Sequence, residues 1–338
     1  MPPALPHTSP PLVLPGDRQG DHPDIAAHLA AWADGDAVRM ALAVLMRAIA
    51  DAAVPLARRL AAGGLPGDPA ALVGVNDSGD RQKALDVGAH DHMIAALRHA
   101  SVHAVLSEEA EAVVPMDPAG AFDVAIDPID GSDSIGIGAP LGLLFAVFPA
   151  GSTFLRPGRE VIAAGYISFG HSVDIGFSTG SGLAMATLGA DGTFRVTDKA
   201  VRLPDATANY AVNASNQRHW GLGLQRYVAD LMAGRDGPRA KDFNMRWMGA
   251  AVADMHRILR RGGVFLYPGD ARKGYETGRL RLIYEAFVMA YIVEQAGGMA
   301  TDGEGPILDR TPTGLHQTTP LIFGSHAEVE TLMTYLHP

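Results

Sequence analysis

The chain contains no cysteine among its 338 residues. That absence excludes a disulfide framework, a thiolate-ligated zinc site, a thiol nucleophile and a thiol redox switch. It fits a reducing compartment, and a cytoplasmic location is the expectation. Basic residues are also scarce: 27 Lys and Arg stand against 37 Asp and Glu, a formal charge of -10. Nucleic acids and acidic membrane surfaces favour clustered positive charge, so neither is an expected partner. The chain has only three Trp, and they form no array suited to stacking single-stranded bases. No apolar run approaches the roughly 18–20 residues needed to span a bilayer. Met1 to Gly20 is rich in proline and lacks both a basic start and an adequate apolar stretch. Residues 1–22 therefore read as a disordered arm rather than an export signal.

What remains is a hydrophobic content of 47% in a chain long enough for one large or two ordinary domains. From Asp24 to Leu60 the pattern is helical, with apolar spacing through Met40, Leu42, Leu45, Met46, Ile49 and Val54. Asp34-Gly35-Asp36 breaks it and offers an N-cap, and Pro55 is expected to kink or end the second helix. Gly63 to Asp80 reads as a mobile loop, and Arg81 to His99 as a further helix. Then the character changes to strand and turn: Val102–Leu106, Phe122–Ile126, Leu141–Phe148, Val161–Phe169 and Asp174–Ser178 are β-like runs. Helices return at Leu222–Met232, Ala251–Arg260 and Ile283–Gln295, with a strand at Val264–Tyr267 and a closing helix at His326–Leu336. Strands and helices alternate, so the expectation is an α/β or α+β protein with layered sheets. A domain boundary is expected near residue 205, separating 23–205 from 206–338.

The chemistry concentrates in Asp127-Pro128-Ile129-Asp130-Gly131-Ser132. Two carboxylates follow an apolar strand at a tight bend, where Gly131 permits a sharp turn or the close approach of a ligand. Hard cations such as Mg²⁺ take oxygen ligands of this kind, and an acidic protein that handles phosphate needs a local cationic device. On those residues alone, a simple turn and a metal-binding end both stay open. Glu108 and Glu109 end another apolar strand. Asp80 and Asp86 flank a helix start, where capping and surface charge are the plainer reading. Glu285 lies in an apolar segment and needs a partner, either Arg281 or a metal. The thirteen histidines show no metal-ligand spacing.

These blocks together resemble class 1 fructose-1,6-bisphosphatase from about Asp24 to the C-terminus. The resemblance is carried by Asn76-Asp77-Ser78-Gly79-Asp80 with Leu85-Asp86, by Ser107-Glu108-Glu109 and by Asp127 to Ser132. Gly263 to Pro268, Gly278 to Glu285, Glu294 to Gly298 and Leu315-His316-Gln317 extend it. It implies a five-layer α/β/α/β/α sugar-phosphatase fold, a homotetramer, and two to three Mg²⁺ (or Mn²⁺) per active site. The implied reaction is removal of the 1-phosphate of fructose 1,6-bisphosphate, in gluconeogenesis and in some settings the Calvin cycle. Sedoheptulose 1,7-bisphosphate is an alternative or additional substrate. By the same resemblance Glu108, Asp127, Asp130, Glu285 and the Ile129 carbonyl are metal ligands, with Asp80 serving an additional metal. Asp86 and Glu109 activate the attacking water. Asp130, Gly131, Ser132 and Asp133 hold the reacting phosphate. Asn213, Tyr267 and Arg279 hold the sugar and its distal phosphate, and Arg246 reaches that phosphate in a neighbouring subunit.

The departures carry expectations of their own. Arg279 stands in place of a common lysine, Asp133 in a usual Ser-Ser-Asn triplet, and Trp247 where many relatives carry a phosphate-binding tyrosine. AMP-inhibited relatives use residues that here are replaced by Asp34-Gly35-Asp36, Ala121-Phe122 and Pro149-Ala150, so AMP inhibition is not expected.

Overall fold

Side chains alternate in direction along a strand, and here both directions are apolar. In the computed structural model, which describes residues 12–15, 20, 22–75 and 81–338, Phe122, Val124 and Ile126 enter one core while Ala125 enters another. A sheet buried on both faces has to be covered twice. The first cover is α1 (Ile25–Ala33), α2 (Ala37–Ala61) and α3 (Ala84–Leu97). A hairpin of β1 (Leu72–Val75) and β2 (Arg81–Lys83) stands between α2 and α3.

The large sheet follows as β3 (Val102–Ser107), β4 (Val114–Pro115), β5 (Phe122–Asp130), β6 (Leu141–Pro149), β7 (Ala163–Phe169), β8 (Val173–Ser178), β9 (Leu183–Leu188) and β10 (Phe194–Val201). Its order is β10-β9-β8-β7-β6-β5-β3-β4, antiparallel except where β3 and β5 run side by side in parallel. Next come β11 (Asn209–Val212), α4 (Leu222–Ala233), β12 (Asn244–Met245), α5 (Ala251–Arg261), β13 (Val264–Tyr267), β14 (Leu280–Arg281), α6 (Phe287–Gln295), β15 (Met299–Thr301), β16 (Thr318–Thr319), β17 (Leu321–Gly324) and α7 (His326–Leu336). A second sheet of order β12-β11-β13-β17-β15 results, and β14 pairs with β16 in a short ribbon. In β13, Phe265 joins the core between the two sheets, whereas Val264 and Leu266 join the core under α4 and α7. Helices α5 and α6 fill the space between the sheets, touching β6 and β7 on one side and β13 and β17 on the other. The layers therefore run helix, sheet, helix, sheet, helix, the expected architecture.

Several local expectations need correction. Pro55 neither ends nor breaks α2, which continues to Ala61. Pro55 and Asp51, whose carbonyl the proline leaves unbonded, are both on the solvent face, while Val54, Leu56 and Ala57 stay buried on the other side. Met40, expected on the apolar stripe, is 48% exposed. Helix α2 is, by length and composition, apolar enough to cross a membrane. Its Leu45, Met46 and Ile49 are instead fully buried in the core under the large sheet. The expected loop from Gly63 contains β1, and the expected helix at Arg81 begins only at Ala84, after β2. Asp36 caps α2 as expected, accepting a hydrogen bond from the Arg39 N–H at 2.8 Å. Most of the N-terminal arm, and all of Asn76 to Asp80, lie outside the described residues.

Candidate active site

Parallel pairing of β3 with β5 sets the acids side by side. Ser107 stands opposite Ile126, and the Glu108 N–H donates to the Ile126 carbonyl at 3.1 Å, so Glu108 lies beside Asp127. The turn expected directly after Ile126 is displaced, because β5 continues to Asp130. Its register against β6 shifts between Asp127 and Asp130, a local irregularity of the kind that re-aims side chains. Asp127 folds back to accept the Ile129 N–H at 2.9 Å, while Asp130 accepts the Val252 N–H at the start of α5 at 2.9 Å. The chain then turns at Gly131, whose φ is +83°. A Cβ there would come within 2.8 Å of the Ala250 Cβ, so conformation and space both require glycine. Glu285 arrives from the other side on a π-helical turn, Leu282–Ala286, that opens into α6. Its carboxylate accepts the backbone N–H of Arg281. Arg281 is thus a partner of Glu285 through its backbone, and it also donates from its guanidinium to the His316 carbonyl at 3.1 Å.

One oxygen each from Asp127, Asp130 and Glu285 lie within 4.8 Å of one another. Oxygens sharing one octahedral ion at about 2.1 Å would lie about 3 Å apart as neighbours and about 4 Å apart as opposites. The set therefore fits a hard divalent cation. The electrostatics agree. Burial, then the charges of Glu108, Asp130 and Glu285, pushes the Asp127 carboxyl well above its ordinary range. Burial and the charges of Glu108 and Asp130 do the same to Glu285. Glu108 is raised to about 7 by burial, against a lowering hydrogen bond with Asp127. Asp130 is raised to about 6, again mainly by burial. Four acids, each pushed above its ordinary range mainly by burial, form a site that a cation would complete.

The acids line a cavity of about 690 Å³ that also contains Asp86, Glu109, Ile129, Gly131, Ser132, Asp133, Tyr267 and Arg279. Asp86 does cap α3, accepting the Lys83 N–H at 3.3 Å. Its other oxygen is buried and meets no hydrogen-bond partner among the described residues. Burial, and then the charge of Glu109, raises Asp86 to about 6. Capping and a role in the cavity are therefore compatible. Asp80 lies outside the described residues. Asn213 lines an adjoining cleft with Trp247, Tyr267 and Tyr275. Arg246 is exposed, follows β12 and is absent from the lining of its own chain's cavity.

Aromatic rings form the far wall. Trp247, Phe265 and Tyr267 stack with ring centroids 5.7–6.5 Å apart, and the Arg279 guanidinium lies 5.0 Å from the Tyr275 ring. The residues read from the sequence leave out several polar members of the cavity, among them Gln82, Lys83 and His316. Gln82 and Lys83 enter it from β2, and His316 bonds the Tyr284 hydroxyl at 2.9 Å. His316 sits in a motif visible in the sequence, but a lone histidine there carries no mark of its neighbours. Gln82 and Lys83 were hidden by the helical reading of Arg81 to His99.

Comparison with known proteins agrees with this architecture. The family model Fructose-1-6-bisphosphatase, N-terminal domain, matches residues 33–199, and the C-terminal domain model matches 203–337. Proteins described as fructose-1,6-bisphosphatase class 1 from Brucella suis and Brucella abortus are each 50% identical over 329 residues, covering 96% of this chain and 97% of theirs. The holo crystal structure of Leishmania major fructose-1,6-bisphosphatase superposes with a TM-score of 0.86 at 29% identity, covering 94% of this chain and 99% of that one. The T-state structure of the same protein gives 0.83 at 27%, covering 94% and 100%.

Proposed function

The chain belongs to the class 1 fructose-1,6-bisphosphatase family, and we propose that it removes the 1-phosphate of fructose 1,6-bisphosphate with the help of divalent metal ions. The observation that carries the reading is the buried, like-charged set of Asp127, Asp130 and Glu285 at cation-binding separation, with Glu108 against it. Those four side chains, with the Ile129 carbonyl, would hold Mg²⁺ or Mn²⁺. Such ions supply charge neutralisation on the phosphoryl and leaving oxygens.

The remaining work falls to the chain's own groups. Glu109 and Asp86 face the same cavity and are the bases that take the proton of the attacking water. Asp130, Gly131, Ser132 and Asp133 border the reacting phosphate. Lys83 steadies that turn by donating to the Ser132 carbonyl at 2.7 Å. At the other end Arg279, Tyr267 and Asn213 receive the sugar and its distal phosphate. Arg246, turned away from its own cavity, suits contact with a neighbouring copy in a homotetramer. In this division residues 23–205 carry the metal end and 206–338 the sugar end.

AMP insensitivity belongs to the same reading. The donors opening α2 would be the natural phosphate seat, but the Asp36 carboxylate already takes one of them and Asp34 adds a second negative charge. Millimolar AMP should leave the rate unchanged; inhibition at micromolar AMP would refute this. The test of the main reading is phosphate release from fructose 1,6-bisphosphate, sedoheptulose 1,7-bisphosphate and inositol 1-phosphate, with and without Mg²⁺. Hydrolysis of a ketose bisphosphate only when metal is present is expected. Equal rates after removal of every divalent ion would sink it.

A further inference from the structure

The hairpin of β1 and β2 is a poorly buried element. Leu72 and Val73 are 51% and 57% exposed, and the ladder between the strands is irregular between Leu72 and Gly74. Yet its second strand touches three residues of the catalytic wall through two consecutive residues of its own. The Gln82 side-chain amide donates to the Glu109 carboxylate at 3.1 Å and reaches toward the Glu109 carbonyl at 3.4 Å. The Lys83 N–H donates to Asp86, and the Lys83 ammonium donates to the Ser132 carbonyl. Among the described residues, Gln82 is the hydrogen-bond donor to the Glu109 carboxylate. Glu109 sits two residues beyond the end of β3, where the sheet no longer fixes it. Its orientation therefore depends on a side chain from a hairpin that contributes little to the core.

We propose that Gln82 is a positioning residue, holding the Glu109 carboxylate in the orientation that accepts the water proton. The proposal rests on the reading of Glu109 as a base. A neutral amide suits the task. It orients the carboxylate by donating one N–H while leaving the second oxygen free, whereas a cation would tie up the base in an ion pair. The other side of the amide runs close past β1: a Cβ on Gly74 would lie only 3.2 Å from the Gln82 Oε1, so glycine there leaves the amide its room.

The experiment uses the full chain with Mg²⁺ and fructose 1,6-bisphosphate, in four variants: Gln82→Met, Gln82→Glu, Glu109→Gln and the double variant Gln82→Met with Glu109→Gln. Gln82→Met keeps the length and removes the donor; kcat should fall about tenfold, the scale of a hydrogen bond to a charged group, with KM within about twofold. Gln82→Glu opposes two carboxylates and should fall further. In the double variant the methionine should cost nothing beyond Glu109→Gln alone, because the residue acts through Glu109. Hydrogen exchange supplies a readout independent of turnover: the amides of residues 81–85 should exchange faster in Gln82→Met at unchanged Tm. Losses that multiply in the double variant, or a Gln82→Met kcat within twofold of the parent, would overturn the proposal and leave the base assignment standing. Full activity in Glu109→Gln would overturn both.

Discussion

Asp123 and Asp127 lie four residues apart on β5, each only 1% exposed, yet they live in opposite electrostatic worlds. Asp123 accepts from His103 at 2.8 Å, from Arg156 at 2.7 Å and from the Gly151 N–H at 2.9 Å. Arg156 in turn lies over the Phe148 ring at 4.7 Å. Both Asp123 oxygens are matched by donors that the fold itself provides. Asp127 accepts one backbone N–H and otherwise faces Glu108, Asp130 and Glu285. Burying a carboxylate is costly in either place, and the protein meets the cost at Asp123 with its own cation. At Asp127 it does not, and adds further acids instead. A buried acid that brings its own partner belongs to the architecture. One surrounded by other acids belongs to a site whose missing charge comes from outside, so burial alone does not mark function whereas the sign of the neighbours does.

Exchanging each aspartate for asparagine separates the two roles. Asp127→Asn should fold and keep or gain stability in the absence of metal, because it removes one of several mutually repelling charges. Its phosphate release should fall about a thousandfold, equivalent to roughly 4 kcal/mol of lost transition-state stabilisation. Asp123→Asn should do the reverse. Activity per folded molecule should stay near that of the parent, while chemical denaturation should show a loss of about 3 kcal/mol, since Arg156 loses its nearer, buried carboxylate and keeps only the more distant Glu160. If Asp123→Asn abolished turnover without destabilising, or Asp127→Asn were fully active, the distinction between the two acids would collapse. A smaller and sharper version uses the partners. Arg156→Met should lower Tm by removing the cation from Asp123, whereas Glu108→Gln should raise the metal-free Tm by relieving Asp127. A fall in both would show that the acid cluster is held by contacts other than a bound cation.

Of this pair only Asp127 was legible in the sequence. The compact Asp-Pro-x-Asp-Gly arrangement places two acids and a required glycine within five residues, and apolar runs before Glu108 and Asp127 mark adjacent strand ends. Asp123 sits inside a run read simply as strand, and its partners His103 and Arg156 are twenty and thirty-three residues away along the chain. The layering was legible for a related reason: strands that are apolar on both faces and alternate with helices leave few arrangements. The β1–β2 hairpin was not, because strands of four and three residues are too short to display a period. Pro55 misled because helix-breaking is a local rule, and the packing of α2 on its buried side outweighed it.

The smallest effect follows from protonation. Glu108, Asp130 and Asp86 are raised to about 7, 6 and 6 in the folded chain, against ordinary values of 4.5, 3.8 and 3.8. A folded chain that holds its protons more tightly than the unfolded one is favoured where those protons are present. The contribution is complete below the ordinary carboxylate range and is lost as pH rises through about 4 to 7. The metal-free protein should therefore melt several degrees higher at pH 6 than at pH 8. Asp123→Asn leaves the acid cluster intact, so it should keep the same slope from a lower starting Tm. Mg²⁺ competes with those protons, so its stabilising shift should be larger at pH 8 than at pH 6. Scanning calorimetry with and without Mg²⁺ at the two pH values decides it. A metal-free Tm that rises toward pH 8, or a Mg²⁺ shift larger at pH 6, would mean that the buried acids of the cavity already carry their charge without a cation.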